Sequence, residues 1–594
     1  MPGAGGAAWA DNPLVPSPEQ SQSSGSNQSS GPTRVSRASA AYNVHAYHTK
    51  VPPEAIRPFI ERHTAPGGLC LDPFAGSGMT GVAAALCGRR AILNDLSPAA
   101  VHIARNYTQP CDPDALLAAA RRLLDWAEPQ IDPLYETKCP TCDGPARTEY
   151  VVWSDLRACP SCSAVLSVWD LRGDSLRRPT CPSCASVFAK VKARVVGEKP
   201  VLVNLSCLSC GVGRQETEPS AEDLTRAALT RDRVPFWYPD LPFGPDWEMW
   251  RGGHRDLGIE HVADFWSARN LFALSVLYEG INREPDVRLR QALLWVFTGV
   301  VNRASRRYQW NVKRPTNVLG GTLYIASIRY EWNVLSLFGR KLRAATQFYR
   351  STPLPDGAVS VIEGSATDLS RIPSQSIDYV FTDIPFGANI YYADASLLWE
   401  AWLGRLTDRS LEAVVSTKRS GKSVGDYQDL MARSFDEIRR VLRPDALATI
   451  VFQNTDAAVW QAIRNAALDS GLHVVSATTM HKSQPSFKGI KAMQEGERVA
   501  ATDVVMTFST TARDNIGVTA AEDAEAVVIA AIEQDLTRVG TLRVREVGHL
   551  YAVAMGALVN AGIPTEGWTF DRIAAIAGQI VPSTEQLRLD MVKE

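Results

Sequence analysis

Residues 69–81 read LCLDPFAGSGMTG, and this stretch decides the fold. Leu69 to Leu71 is a short apolar run of the kind that fills a buried strand, and Gly76, Gly78 and Gly81 follow in a G-x-G-x-x-G pattern. Met79 to Cys87 then has the Ala/Val content of a buried helix. Glycines at this point let the turn be tight and let the backbone approach a ligand. A second strand, Ala91 to Leu93, ends at Asn94 and Asp95, and Ser97 with Pro98 supplies an N-cap and first turn for a helix through Tyr107. Strand, helix, strand, helix within about forty residues is the opening of a doubly wound α/β sheet. A carboxylate at the Asp95 position can accept both hydroxyls of a ribose, so an adenosine-containing cofactor is expected, and the glycines alone leave its identity open.

The pattern breaks after this helix and resumes about 240 residues later. Strands are expected at Val359–Ile362, Ile377–Thr382, Ala448–Phe452, His473–Ala477 and Val504–Phe508. A helix carrying Leu430, Phe435, Ile438, Val441 and Leu442 stops before Pro444. The two parts read as one sheet interrupted by an insert. The expected organisation is a disordered Ser/Gly/Pro/Gln tail over 1–40, a first sheet part over 41–112, an insert over 113–355, a second sheet part over 356–512 and a helical region over 513–594.

Upstream of the glycine turn stands HTKVPPEAIRPFIERHTAPGGLCL (48–71), and the second half contains SIDYVFTDIPFGANIYY (376–392). The first, running into DPFAGSG, resembles the cofactor region of amino-methylating (N6-adenine/N4-cytosine) DNA methyltransferases. The DIPF of the second resembles the catalytic tetrapeptide of the same family. Ile384 stands where proline is commoner and Phe386 where tyrosine is.

The resemblance implies S-adenosylmethionine as cofactor, wrapped by Asp72, Phe74, Gly76 and Gly78, with Asp95 on the ribose, Asp368 near the adenine and Lys50 near the methionine carboxylate. It implies double-stranded DNA as substrate, with the target base extruded, and is compatible with partner proteins of a restriction or defence system. An aspartate at the head of the tetrapeptide leans toward adenine N6 over cytosine N4. Two other readings stand beside this one: an RNA base-amine methyltransferase, and an inactive zinc-containing DNA-binding protein.

The chemistry asks for such residues. An exocyclic base amine is a poor nucleophile because its lone pair is conjugated with the ring. Asp383 and a backbone carbonyl of Ile384 or Pro385 can accept its N–H bonds, and Phe386 can stack on the base.

Eight of the eleven cysteines form four Cys-x-x-Cys pairs, Cys139/Cys142, Cys159/Cys162, Cys181/Cys184 and Cys207/Cys210. Two such knuckles close a four-cysteine site, so two structural zinc ions are expected over 135–215. Sequential pairing, first knuckle with second and third with fourth, is the expectation, with nested and interleaved pairing open. Cys70, Cys87 and Cys111 read as ordinary buried thiols.

The chain carries 62 Lys+Arg against 64 Asp+Glu, a net charge of -2, so DNA attraction must come from a local patch. Nine basic residues (Arg303, Arg306, Arg307, Lys313, Arg314, Arg329, Arg340, Lys341, Arg343) face one acid, Glu331, between Val296 and Arg343. With Tyr308 and Trp310 they mark 216–355 as the expected DNA-reading part. No apolar run is long enough for a membrane span and no signal peptide opens the chain, which together suggest a cytoplasmic protein.

Overall fold

The computed structural model describes residues 44–173, 178–207, 209–210, 213–311, 318, 321–387, 390–417, 419–481, 502–511, 524–539 and 547–580. The expected tail over 1–40 and the basic residues Lys313 and Arg314 lie outside them. Among the described residues, no helix is long and apolar enough to cross a membrane.

The chain is α/β. Strand β1 (Leu69–Asp72) pairs in parallel with β2 (Arg90–Asp95). Between them the helix Met79–Leu86 starts directly after Gly78, and Ser97 caps the next helix, Pro98–Thr108, by accepting from the Ala100 amide at 3.2 Å.

The cysteine-rich segment follows with β3 (Glu136–Lys138), β4 (Pro145–Ala158), β5 (Val165–Ser167), β6 (Val195–Cys207) and β7 (Arg214–Thr217). After two long helices, Ala268–Asn282 and Val287–Val301, comes β8 (Ile328–Trp332). The second half supplies β9 (Val359–Glu363), β10 (Ile377–Asp383), β11 (Leu442–Phe452), β12 (His473–His481) and β13 (Thr502–Ser509).

One seven-stranded sheet runs β12-β13-β11-β10-β1-β2-β9. The strands before and after the insert therefore share a sheet, with β1 parallel to β10 through Cys70↔Tyr379 and Leu71↔Val380. Only the β13 pairings are antiparallel. Strands of this kind are apolar on both faces, and alternation shows it. Cys70, Tyr379 and Phe381 join one core cluster, while Leu71, Val380 and Ile384 join another. The second cluster also takes in Leu550, Met555 and Ile573, so the C-terminal helices 547–560 and 570–580 pack into the core of this sheet.

The insert is likewise woven in. Leu116, Leu274, Trp295 and Phe338, from four of its helices, belong to the same cluster as Ile103 and Val359. Tyr107 meets Trp295 edge-on at 4.7 Å, and the Arg288 guanidinium donates to Asn106 Oδ1 at 2.7 Å. A separately folded recognition part over 216–355 is thus not what these residues build. Even the cysteine-rich sheet is anchored, because β8 pairs with Tyr150–Ser154 of β4.

Two further expectations are corrected. The cysteines group as Cys139, Cys142, Cys207 and Cys210, and as Cys159, Cys162, Cys181 and Cys184. The pairing is nested, not sequential, and the cause is the β4·β6 hairpin. These two long antiparallel strands bring the knuckle before β4 to the one after β6, and the knuckle after β4 to the one before β6.

The basic block does not form the expected surface. Arg329 is buried and ion-paired to Asp155 at 2.7 Å and to Glu198. Arg306 also reaches Glu198, at 2.8 Å, and Arg307 and Tyr308 are buried. Lys341 is buried too and donates to the Val44 carbonyl at 2.6 Å. The sole local acid, Glu331, pairs with Arg269 from another helix. The neutralising acids come from β4 and β6, over a hundred residues away, which a count along a local window does not see.

Candidate active site

At the carboxyl end of β1, Asp72 is buried and accepts from three groups: Thr80 Oγ1 at 2.6 Å, Thr382 Oγ1 at 2.7 Å and the Phe74 amide at 3.2 Å. Thr382 lies 310 positions away, so this contact ties the tips of β1 and β10 together. Burial pushes the Asp72 carboxyl up to about 6, against the pull of its hydrogen bonds.

The turn that follows needs its glycines. Gly76 has φ +50° and Gly78 φ +79°, left-handed values that L side chains rarely adopt. A Cβ on Gly78 would lie 2.8 Å from the Ala104 backbone, whereas one on Gly76 would meet the Tyr47 ring at 2.8 Å. Asp95, at the tip of β2, accepts the Gly76 amide at 2.7 Å through Oδ2 and the Ser97 amide at 2.9 Å through Oδ1. Desolvation raises it to about 6 as well.

A cleft of ≈ 760 Å³, including its part open to solvent, lies over these strand tips. That size suits a small-molecule site. Phe74, Gly76, Asp95, Asp383 and Pro385 all line it, so residues some three hundred positions apart face one space. Its wall also includes Tyr47, Thr49, Ser365, Thr367, Tyr392 and Glu412.

Of the sequence-predicted site residues, Asp72 and Gly78 support the turn from behind and are not on the wall. Lys50 points elsewhere, its ammonium donating to the Tyr107 hydroxyl at 2.7 Å. Asp368 is exposed and accepts the Ser370 amide at 3.1 Å, while its neighbours Ser365 to Thr367 take the cleft wall.

In the tetrapeptide, the Ile384 amide donates to the Val451 carbonyl at 3.2 Å and the Ile384 side chain is buried. The Pro385 carbonyl accepts from the Tyr427 hydroxyl at 2.6 Å, and the Phe386 carbonyl from Asn454 Nδ2 at 2.9 Å. The Phe386 ring, 5% exposed, packs edge-on to Phe452 in the core and does not line the cleft. The expected stacking ring is therefore turned inward.

Residues 8–106 match the family model of N6/N4 DNA methylases. The match supports the amino-methylating DNA methyltransferase family, and a methylase of this kind acts on DNA. It spans the glycine turn and Asp95 and ends before the Asp383 half of the cleft. No curated protein matches the chain.

The methylase's wall residues missed by sequence reasoning divide by cause. Tyr47 and Thr49 stand inside the segment 44–50 whose neighbour Lys50 was singled out, so the signal was present and misassigned by a few positions. Glu412 had no signal. It accepts the Ala393 amide at 3.0 Å, capping the helix Tyr392–Leu403, and burial lifts it to about 7.

The two cysteine groups have the geometry of metal sites. Within each, the Sγ atoms lie within 4.8 Å of one another, with Cys139–Cys210 at 3.7 Å, Cys142–Cys207 at 3.6 Å, Cys159–Cys184 at 3.8 Å and Cys162–Cys181 at 3.7 Å. A tetrahedron with ~2.3 Å zinc–sulfur bonds has edges of about 3.8 Å. Asp143, Ser163 and Ala185, each one residue past a knuckle's second cysteine, all adopt left-handed φ, between 55° and 60°. The repeated turn aims both sulfurs of a knuckle at one point, so both groups could hold a metal ion.

Proposed function

We propose that this chain is an S-adenosylmethionine-dependent DNA methyltransferase that methylates an exocyclic base amine, adenine N6 in preference to cytosine N4. The observation that carries the reading is one cleft walled by Gly76, Asp95 and Asp383, its two halves joined by the Thr382–Asp72 hydrogen bond. Support also comes from the strand order, which reverses direction between β1 and β10. Doubly wound, Rossmann-like sheets take ligands at such a switch point, outside the carboxyl ends of the strands.

When bound, the cofactor supplies an electrophilic methyl group on its sulfonium. The chain's own residues do the rest. Ionised Asp95 accepts the ribose hydroxyls, and the glycine turn lets the backbone approach the amino-acid part. Asp383 accepts an N–H of the target amine, localises the nitrogen lone pair and takes the proton released as the N–C bond forms. Extruding the base from a duplex costs a few kcal/mol of unstacking, which wall contacts must offset. Zinc in the two cysteine groups is structural: four thiolates each leave no open coordination position.

The test is long-read sequencing of DNA from cells expressing the wild-type chain or Asp383→Ala, with cofactor binding by both proteins measured calorimetrically. Modified adenines in a fixed sequence context, lost in the variant while cofactor binding persists, are expected. Identical, unmodified DNA from both would overturn the reading.

A further inference from the structure

The tetrapeptide's ring is unavailable to a base. Phe386 sits against Phe452, and three contacts fix the loop that carries it: Ile384 N–H to Val451, Tyr427 to the Pro385 carbonyl and Asn454 to the Phe386 carbonyl. Turning the ring into the cleft would break this packing and leave an aromatic-sized void in the core. Yet a base held by Asp383 needs a flat apolar surface beside that carboxylate.

Three aromatic side chains do line the cleft: Tyr47, Phe74 and Tyr392. Phe74 belongs to the glycine turn itself, and the Tyr47 ring lies against Gly76, so both stand on the cofactor side. Tyr392 stands on the other. Asp383 is the nearest-acting charge on its hydroxyl, whereas on Tyr47 Asp95 has that place. Tyr392 is only partly buried, so part of its surface faces the cleft.

Its pose is also prepared. The hydroxyl meets the Thr49 side chain and the Phe386 backbone, and Glu412 closes the first helical turn where Tyr391 offers no side-chain cap. Resting on the methyltransferase reading above, we propose that Tyr392, in place of Phe386, is the aromatic residue on which the extruded base stacks.

The experiment uses the full chain, unmethylated genomic DNA and radiolabelled S-adenosylmethionine, comparing wild type with Tyr392→Leu, Tyr392→Phe and Phe386→Leu. Thermal midpoints and calorimetric cofactor affinities are recorded for each. Loss of base–aromatic stacking should lower kcat/KM for DNA about 10- to 100-fold in Tyr392→Leu, with cofactor affinity unchanged. Tyr392→Phe keeps the ring and should stay within about threefold of wild type. Phe386→Leu should lower the thermal midpoint and spare transfer.

If Tyr392→Phe falls as far as Tyr392→Leu, the hydroxyl strut and not the ring is what matters, and the proposal is wrong. A Tyr392→Leu protein as active as wild type, or a folded Phe386→Leu protein less active than it, overturns it as well. Wild-type protein that binds cofactor but transfers nothing to DNA fails the functional reading itself, a result distinct from any variant pattern.

Discussion

The two halves of the cleft were built under different constraints. On the cofactor side, the turn after β1 depends on contacts within about forty residues: Gly76 to Asp95, Gly78 to Ala104, Ser97 to Ala100. On the catalytic side, every group of the tetrapeptide is fixed by something distant: Thr382 by Asp72, Pro385 by Tyr427, Phe386 by Phe452 and Asn454. A local motif therefore predicts its own geometry on the first side and only its location on the second.

The largest effect should come from the catalytic side. Asp383→Ala removes the acceptor for the amine proton, and transfer should drop by about 10²- to 10⁴-fold, the usual range for a positioned acid–base group. Cofactor affinity should stay near wild type. A single-turnover measurement at saturating cofactor checks this, and an Asp383→Ala protein within tenfold of wild type would break the division between the halves.

The cysteine sites come next. Cobalt-loaded protein should show two tetrahedral thiolate sites. Cys139→Ser with Cys207→Ser should abolish one and leave the other intact, whereas Cys139→Ser with Cys159→Ser should damage both. Sequential pairing predicts the reverse. Losing either site frees one end of the β4·β6 hairpin, whose small clusters around Val151 and Leu166 have little apolar surface of their own, so the thermal midpoint should fall by several degrees.

These cases show what the sequence could tell. The interrupted sheet was legible because apolar runs, a left-handed glycine turn and a Ser–Pro helix start each act within a few residues. The nested cysteines were not, since pairing depends on β4 and β6 lying side by side, a contact about fifty residues long in the chain. Nor was the inward turn of Arg306, Arg307 and Arg329. Charge read along a window is blind to Asp155 and Glu198 arriving from the neighbouring strands. Tyr392 escaped notice for a related reason: its value lies in facing Asp383, which the helix start at Tyr392 and the Glu412 cap decide together.

Within the cofactor side the glycines should differ. Alanine at Gly78 combines a left-handed φ, costing about 1–2 kcal/mol, with a clash against the Ala104 backbone that cannot yield. At Gly76 the obstacle is the Tyr47 ring, a side chain that can move. Gly78→Ala should thus lower the thermal midpoint more than Gly76→Ala, while Gly76→Ala should weaken cofactor binding with less loss of stability. Equal midpoints in differential scanning calorimetry would contradict the close packing at Ala104.

The smallest predicted effect concerns pH. Burial holds the Asp95 carboxyl near 6, above its ordinary value, so the group gains its proton earlier in the folded protein than in the unfolded chain. By linkage, this residue favours the folded state as pH falls from about 6 toward 4, and opposes it, by the cost of a buried charge, above 6. Cofactor binding should run the other way. Accepting two ribose hydroxyls requires the ionised form, so affinity should be level above pH 7 and decline by up to about tenfold per unit below 6. Asp95→Asn cannot titrate, and its weaker affinity should be flat over the same range. Calorimetric titrations of both proteins between pH 5 and 8 make the comparison, and a wild-type profile as flat as that of the variant would remove Asp95 from the cofactor side of the cleft.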